Sequence, residues 1–234
     1  MIRRSLTVFS LVLVAAAPLA AQEMKEQHGD KKMQHPGKKM KDHDPDKKAE
    51  GGALPAGWTG RTDNATKKLE DAKFVTMGSG YHVTSGPAAI YWRSGSTTGV
   101  PFTATTTMTQ TKAPAHPEAY GIFYMGNKLD SPEQSYAYLL VRGDGKIMVK
   151  HRAGAELHTI MDWTDNAAVH KADASGKATN TLTVDAKADS TRLLVNGVQV
   201  AAIGGAYAKA DGAVGLRVNH NLDVHVSEFT VTKK

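Results

Sequence analysis

Hydrophobic and polar residues alternate along most of the chain from Gly57 onward, and this alternation predicts β-strands. The C-terminal stretch DGAVGLRVNHNLDVHVSEFTVTKK shows the pattern clearly, with an apolar side chain at nearly every second position. Comparable runs recur along the chain, separated by turn residues, and they predict about eleven or twelve short strands. Only the stretch 64–71 has helical character. The pattern therefore predicts an all-β fold, an antiparallel β-sandwich formed by residues 57–234.

Turn residues between these runs predict three hairpins. Asn196-Gly197 lies between two apolar alternations and is a preferred two-residue turn. Gly143, Asp144 and Gly145 separate another pair of strands. The Asn-rich segment 219–221 separates the last two strands, which we expect to form a closing hairpin.

The N-terminal residues have the composition of export and linker segments. Two Arg residues, an apolar run and small residues form the pattern of a secretory signal peptide, residues 1–21, cleaved after Ala21. Residues 22–56 are rich in Lys, His, Met and Asp, and such a segment buries too little apolar surface to fold, which predicts a disordered linker. The sequence thus predicts a secreted or periplasmic protein whose mature chain has no transmembrane segment.

The linker also contains the strongest candidate metal ligands. Imidazole and thioether groups suit copper, and the candidate ligands are His28, Met33, His35, Met40 and His43. The alternative is a solvated tether, because ordering such a segment around a metal costs conformational entropy. No cofactor is expected to be required, although the stretch NHNLDVH in the domain leaves a calcium-type loop site open.

Charge and cysteine content narrow the function classes. The net charge is +6, of which Arg3 and Arg4 contribute +2, residues 22–50 contribute +1 and the rest of the chain +3. A domain so close to neutral does not favour nucleic acid as a partner. The chain has no Cys, which excludes disulfides, thiol nucleophiles and Cys-based metal sites.

The order of the C-terminal pieces VNGVQVAAI, GAVGLRVNHN and LDVHVSEFTV resembles that of concanavalin A-like, laminin-G-like jelly rolls. Within that group the chain is similar to bacterial secreted 3-keto-disaccharide hydrolase-like domains, with the resemblance strongest over 119–231. It implies a jelly-roll sandwich in which Gly197 serves a turn and Gly215 allows close packing. It also implies a role in carbohydrate chemistry, although fold alone does not fix an activity.

Catalytic motifs that would specify an enzyme are missing from the sequence. Laminarinase-type enzymes of this fold use Glu-x-Asp-x-x-Glu, and here no Glu is followed by Asp two positions later. The chain also has no Gly-x-Ser-x-Gly elbow and no His-Glu-x-x-His helix motif. A non-catalytic binding module is therefore the first functional hypothesis.

Outward-facing strand positions supply the candidate ligand-binding residues, because one sheet of a jelly roll commonly lines a groove. In SYAYLLVRG, period two puts Tyr136, Tyr138 and Arg142 on one side. The candidate groove residues are Tyr124, Tyr138, Arg142, Arg217 and Asn219. The alternative is that the tyrosines are core residues or cross-strand partners, and Trp58, Trp92 and Trp163 are expected in the core.

Three functions remain open at this point. The first is an exported binding module for a glycan or another cell-envelope ligand. The second is a hydrolase acting on a sugar derivative, as the 3-keto-disaccharide hydrolase resemblance implies. The third is an envelope protein whose His/Met segment binds metal.

Overall fold

The computed structural model describes Ala49, 51–208 and 210–234 as a sandwich of two seven-stranded sheets, with all strand pairs antiparallel. In spatial order the first sheet contains β1 (Trp58–Thr62), β4 (Ala89–Thr98), β13 (Gly212–Val218), β6 (Ala119–Asn127), β7 (Ser135–Arg142), β8 (Lys146–Ala153) and β9 (Glu156–Asp165). The second contains β12 (Val198–Ile203), β11 (Thr191–Val195), β10 (Ala178–Ala186), β5 (Phe102–Gln110), β14 (Asp223–Lys233), β3 (Gly80–Thr84) and β2 (Lys73–Met77). Two short 3-10 turns, Leu69–Asp71 and Gly205–Tyr207, are the only helical elements in these ranges. The predicted all-β antiparallel sandwich is confirmed.

The core lies between the sheets and is built by the alternation seen in the sequence. In β7, Leu139 and Val141 point inward, and in the opposite sheet Leu182 and Val184 of β10 do the same. All four are fully buried. Removing each such side chain from water contributes roughly 1.5–3 kcal/mol, which makes this shared interior the main stabilising feature of the domain.

The last two strands do not form the expected closing hairpin. β13 pairs with β4 and β6 in the first sheet, whereas β14 pairs with β5 and β3 in the second. The prediction was wrong because alternation shows which side chains point inward but not from which sheet. The chain crosses between the sheets at 219–222, where the Ser85 hydroxyl donates to the Asn219 carbonyl and accepts from the Leu222 N–H.

The other two predicted hairpins are present. Asn196 and Gly197 have φ of 50° and 80° and join β11 to β12. Gly145 has a φ of 91° at the end of the turn that joins β7 to β8. Asn and Gly tolerate these left-handed conformations, which explains why the turns could be predicted from the sequence.

A second apolar cluster lies on the opposite side of the first sheet, which we call the first outer face. Its buried members are Ile90, Ala119, Phe123, Leu129, Tyr136, Tyr138, Leu140, Met148 and Ala213, with Trp92 and Trp163 packed against them. They alternate with core residues along the same strands. The loop 128–134 covers part of this face, and the Arg61 guanidinium donates to the carbonyls of Leu129 and Ser131. The first sheet therefore buries apolar residues on both sides.

The outer side of the second sheet, which we call the second outer face, is lined with threonine. Cross-strand hydroxyl pairs join β5 and β10 at Thr105–Thr183 (3.2 Å), Thr107–Thr181 (2.9 Å) and Thr109–Thr179 (2.8 Å). Threonine suits strands, and directly opposite Thr pairs stabilise a sheet. These hydroxyl groups satisfy one another.

The end of the segment that we predicted as linker contacts the sandwich. The Ala49 N–H donates to the Asp71 carbonyl at 2.8 Å, and Leu54 packs against the core. The predicted signal peptide and the candidate metal ligands His28, Met33, His35, Met40 and His43 lie outside the described residues. No helix in the part of the chain that the structure describes is long and apolar enough to cross a membrane.

Candidate functional site

A buried ion pair occupies the middle of the first outer face. Arg217 on β13 points outward, and its Nη1 and Nη2 donate to the two oxygens of Asp63, at 2.9 and 2.6 Å. Asp63 directly follows β1, and Arg152 of β8 brings a second guanidinium to 3.5 Å from its Oδ2. Arg217 is only 5% exposed and Asp63 22%. Such a bidentate pair has a fixed geometry and a high cost if either partner is lost.

Two tyrosines of β7 contact the guanidinium of Arg217 in this pair. Arg217 Nη1 donates to the Tyr136 hydroxyl at 3.1 Å, and the Arg217 guanidinium lies 4.7 Å from the ring centre of Tyr138. Burial raises the pKa of both phenols, so their hydroxyls are neutral at physiological pH. The ring of Tyr138 is covered by Arg217 and holds the cation rather than presenting a stacking surface.

The net charge of the cluster is set by the pKa of Asp63. Burial raises the pKa of this carboxyl. The charge and hydrogen bonds of Arg217, with smaller contributions from Arg152 and His220, lower the pKa by more than burial raises it. The net shift is downward, so Asp63 is ionised. One carboxylate thus faces two guanidinium groups, and the centre of the face is cationic.

Three buried polar atoms on this face have no hydrogen-bond partner among the described residues. They are Arg152 Nε, Arg217 Nε and Asn219 Oδ1. Leaving a buried polar group unsatisfied costs about 1–3 kcal/mol, so each of these atoms would gain from a hydrogen-bond partner. The face offers two donors and one acceptor, the combination that a hydroxyl-rich ligand satisfies.

The rim of the face carries further charged and aromatic groups. Arg142, at the end of β7, lies 4.6 Å from the ring centre of Trp163 and forms a bidentate pair with Asp144. Nearby, Glu118 accepts a hydrogen bond from the Asn219 side chain. Burial raises the pKa of Glu118, and this bond and the neighbouring His220, His116 and Arg142 charges offset only part of the increase.

The structure brings together four of the five predicted ligand-binding residues. Tyr138, Arg142, Arg217 and Asn219 belong to the first outer face or its rim. Tyr124 was wrongly predicted, because it is fully buried in the core between the sheets. Along β6 the alternation directs Phe123 outward, so its neighbour Tyr124 must point inward.

The tryptophans divide between the two sides of the first sheet. Trp58 is a core residue, as expected. Trp92 and Trp163 are not in that core; both are partly buried in the cluster on the first outer face. The expectation failed for them because a strand buried on both faces gives no polar side from which the inner one can be identified.

The sequence did not predict three residues of this site, which are Asp63, Arg152 and Glu118. Asp63 lies 154 positions from its partner Arg217, and a separation of that kind leaves no local pattern. Arg152 lies on the outward side of β8, the side on which the alternation of KIMVKHR places it, but nothing in that pattern marks it as part of a site. Glu118 was one of several scattered acidic residues, and only its burial distinguishes it.

Metal-binding geometry is limited in the described ranges. No group of three or more His, Cys, Asp or Glu side chains there is arranged to hold an ion. In the stretch that left a loop site open, Asp223 instead accepts from His82 Nε2 at 2.8 Å and from Lys112 at 3.1 Å. Those contacts lie on the second sheet, away from Asp63 and Arg217.

Comparison with solved structures places this architecture in a known fold. The carbohydrate binding module CBM66 from Bacillus subtilis matches with a TM-score of 0.55 and 14% identity, over 76% of this chain and 96% of that one. A glycoside hydrolase family 16 endo-glucanase from Bacteroides ovatus matches with a TM-score of 0.54 and 9% identity, over 79% and 98%. A Bacillus subtilis protein with a galectin-like fold matches with a TM-score of 0.53 and 10% identity, over 75% and 89%.

The chain has the concanavalin A-like jelly-roll fold. This confirms the fold that the C-terminal motifs implied. Identities of 14% or less extend to the fold alone. No family model and no curated protein matches the sequence. The jelly-roll neighbours include both a binding module and a hydrolase, so the function must be argued from the site.

Proposed function

We propose that this protein is an exported binding module that recognises a glycan through the first outer face. The observation that carries the proposal is the set of unpartnered buried atoms, Arg152 Nε, Arg217 Nε and Asn219 Oδ1, on one sheet face. Sugar hydroxyls donate and accept hydrogen bonds, so a ligand of this class carries groups that are complementary to all three. The likeness to a carbohydrate-binding module supports the same class of ligand.

The charge of the face further restricts the glycan. Arg217 and Arg152 converge on the single carboxylate of Asp63, which leaves excess positive charge at the centre. Trp163 lies at the rim, partly exposed, beneath the Arg142 guanidinium. We expect neutral or weakly acidic glycans of the cell envelope to bind more tightly than basic ones.

The test is a glycan array probed with the full chain, followed by calorimetry on the best ligand. Arg152→Met retains the aliphatic stem and removes the donors, and we expect it to weaken binding at least tenfold. Thr181→Val on the second outer face is the matched control and should bind like the wild type. Parallel runs with EDTA and with calcium test for a loop metal. Equal loss in both variants, or no saturable binding by the folded chain, would contradict the proposal.

A hydrolase remains the second candidate because of two carboxyl groups with opposite pKa shifts. Burial raises the pKa of Glu118, whereas the pKa of Asp63 is lowered, and His220 acts electrostatically on both. A carboxyl group with a raised pKa together with an ionised carboxylate is the combination used in glycoside hydrolysis. In that reaction Glu118 would protonate the departing glycosidic oxygen, and water would add to the anomeric carbon.

Turnover separates the two candidates. The full chain is incubated with glycosides and 3-keto-glycosides, and released sugar is measured. A hydrolase would lose turnover in Glu118→Gln while still binding the substrate. A binding module shows no turnover in either form and retains its affinity.

The His/Met segment supports a separate proposal, copper binding by the tail. Replacing His28, His35 and His43 together by Ala in the full chain should remove copper binding if the segment holds the ion. Unchanged copper affinity in that variant would exclude the tail as the site.

A further inference from the structure

A pocket of about 250 Å³ opens at the end of the sandwich, next to the rim of the first outer face. It lies between the loop that joins β5 to β6 and the β7–β8 hairpin. Glu118 and Arg142, which belong to the rim described above, also line this pocket. The pocket is therefore continuous with the proposed glycan face, and its size suits part or all of one sugar unit rather than a drug-sized ligand.

A buried amide with an unused acceptor forms one wall. Gln110 is 2% exposed, and its Nε2 donates to the Gly176 carbonyl at 2.7 Å. That contact fixes the orientation of the amide, because only the nitrogen donates to a carbonyl. Gln110 Oε1 has no partner in the described part of the chain. An added Cβ on Gly143 would lie 3.2 Å from both amide atoms, which places the amide directly behind this glycine.

The remaining wall is small and apolar. It consists of Ala113, Pro114, Ala115, Pro117 and Ala172. Four ionisable side chains also line the pocket, the acidic Glu118 and Asp144 and the basic His116 and Arg142. Because Arg142 is paired with Asp144, the lining does not present a single excess charge, and the unused Gln110 acceptor beside the apolar wall favours a neutral group that combines one hydrogen-bond donor with a compact apolar part.

We propose that this pocket receives the acetamido group of an N-acetylated amino sugar, whose N–H donates to Gln110 Oε1 while its methyl contacts the Ala and Pro wall. The inference rests on the proposed glycan-binding function and names the class of sugar. A plain hydroxyl in place of the acetamido group has no methyl to cover the apolar wall, which then stays in contact with water. The acetyl methyl covers that wall, and this burial adds to the hydrogen bond.

The test compares matched oligosaccharides on the full chain by calorimetry. N-acetylglucosamine oligomers are measured against glucose oligomers of the same length and linkage, which differ in having a hydroxyl in place of the acetamido group. We expect the acetylated ligand to bind at least tenfold more tightly. Gln110→Leu should remove most of that preference, because it weakens binding of the acetylated ligand more than binding of the glucose oligomer.

Two further variants complete the test, one a second change in the pocket and the other a control at an exposed site. Gly143→Ala keeps the Gln110 amide but crowds it, so it should also reduce the preference for the acetylated ligand. Gln199→Leu makes the same chemical change at an exposed site on β12 and should have no effect. Glycan binding without an acetamido preference, or a preference unchanged in both pocket variants, would overturn this inference and leave the proposed function standing. Failure to bind any glycan would overturn both.

Discussion

The two outer faces of the sandwich belong to sheets of equal strand number but have opposite polar chemistry. On the second outer face, three Thr–Thr pairs satisfy one another across β5 and β10. On the first outer face, an ion pair is buried over aromatic rings, and Arg152, Arg217 and Asn219 each retain an unsatisfied atom. The threonine pairs gain little from a ligand because they satisfy each other, whereas the unsatisfied atoms of Arg152, Arg217 and Asn219 gain the hydrogen bonds they lack.

The same contrast applies to the carboxylates. Asp63 pairs with Arg217, which is nearly buried. Asp185, on the second outer face, pairs with Lys234 and Arg192, and both of these cations are about half exposed. The first pair is difficult to replace, and the second is screened by water. The comparison can therefore be tested by removing one partner from each.

The largest effect is expected for Arg217→Met. Removing the guanidinium leaves the Asp63 carboxylate buried with only the more distant Arg152, so the free energy of unfolding should fall by about 3–5 kcal/mol. Urea denaturation measures the change. Adding Asp63→Leu should recover much of the loss, because no unpaired charge then remains. A loss below about 1 kcal/mol in the single variant would show that the pair does not organise the first outer face.

An intermediate, pH-dependent effect is expected at Asp185. Hydrogen bonds from Lys234 and then Arg192 lower its pKa from 3.8 to about 2. A lowered pKa gives stability that is present above the unfolded value and is lost as the pH falls from about 4 towards 2. The contribution is at most about 2 kcal/mol, because the exposed cations are screened. Asp185→Asn should be less stable than the wild type at pH 7 and similar to it at pH 2. A constant difference across that range would contradict the assignment.

The smallest effect is expected on the threonine ladder. The double variant Thr107→Val, Thr181→Val replaces a mutually bonded pair by two β-branched residues of similar shape. Cross-strand pairs are worth roughly 0.2–1 kcal/mol, so the thermal midpoint should move by only a few degrees. A large destabilisation would show that this threonine pair contributes more to stability than an ordinary cross-strand pair.

Local patterns predicted much of the fold, and long-range contacts account for what they missed. Alternation and turn chemistry identified the sandwich and the Asn196-Gly197 turn because both depend on neighbours in sequence. Close packing at Gly215 was also predicted, and an added Cβ there would lie 2.2 Å from the Tyr91 carbonyl oxygen. The partner sheet of β14 was not predictable, because inward-facing positions look the same from either sheet.

The candidate site was predicted in part for the same reason. Period two placed Tyr138, Arg142 and Arg217 outward, and that information is local. Asp63 joins Arg217 only through the fold, and the burial that raises the pKa of Glu118 comes from several elements at once. Tyr124 was misassigned because β6 carries large apolar or aromatic residues on both of its faces.

The most direct test of the central claim is amide hydrogen–deuterium exchange of the full chain, with and without its best array ligand. The account predicts increased protection in peptides covering 135–153 and 212–220, on the first sheet, and unchanged exchange over 102–108 and 178–186. Protection confined to the second sheet, or no protection at a saturating ligand concentration, would contradict the claim that the first outer face binds the glycan.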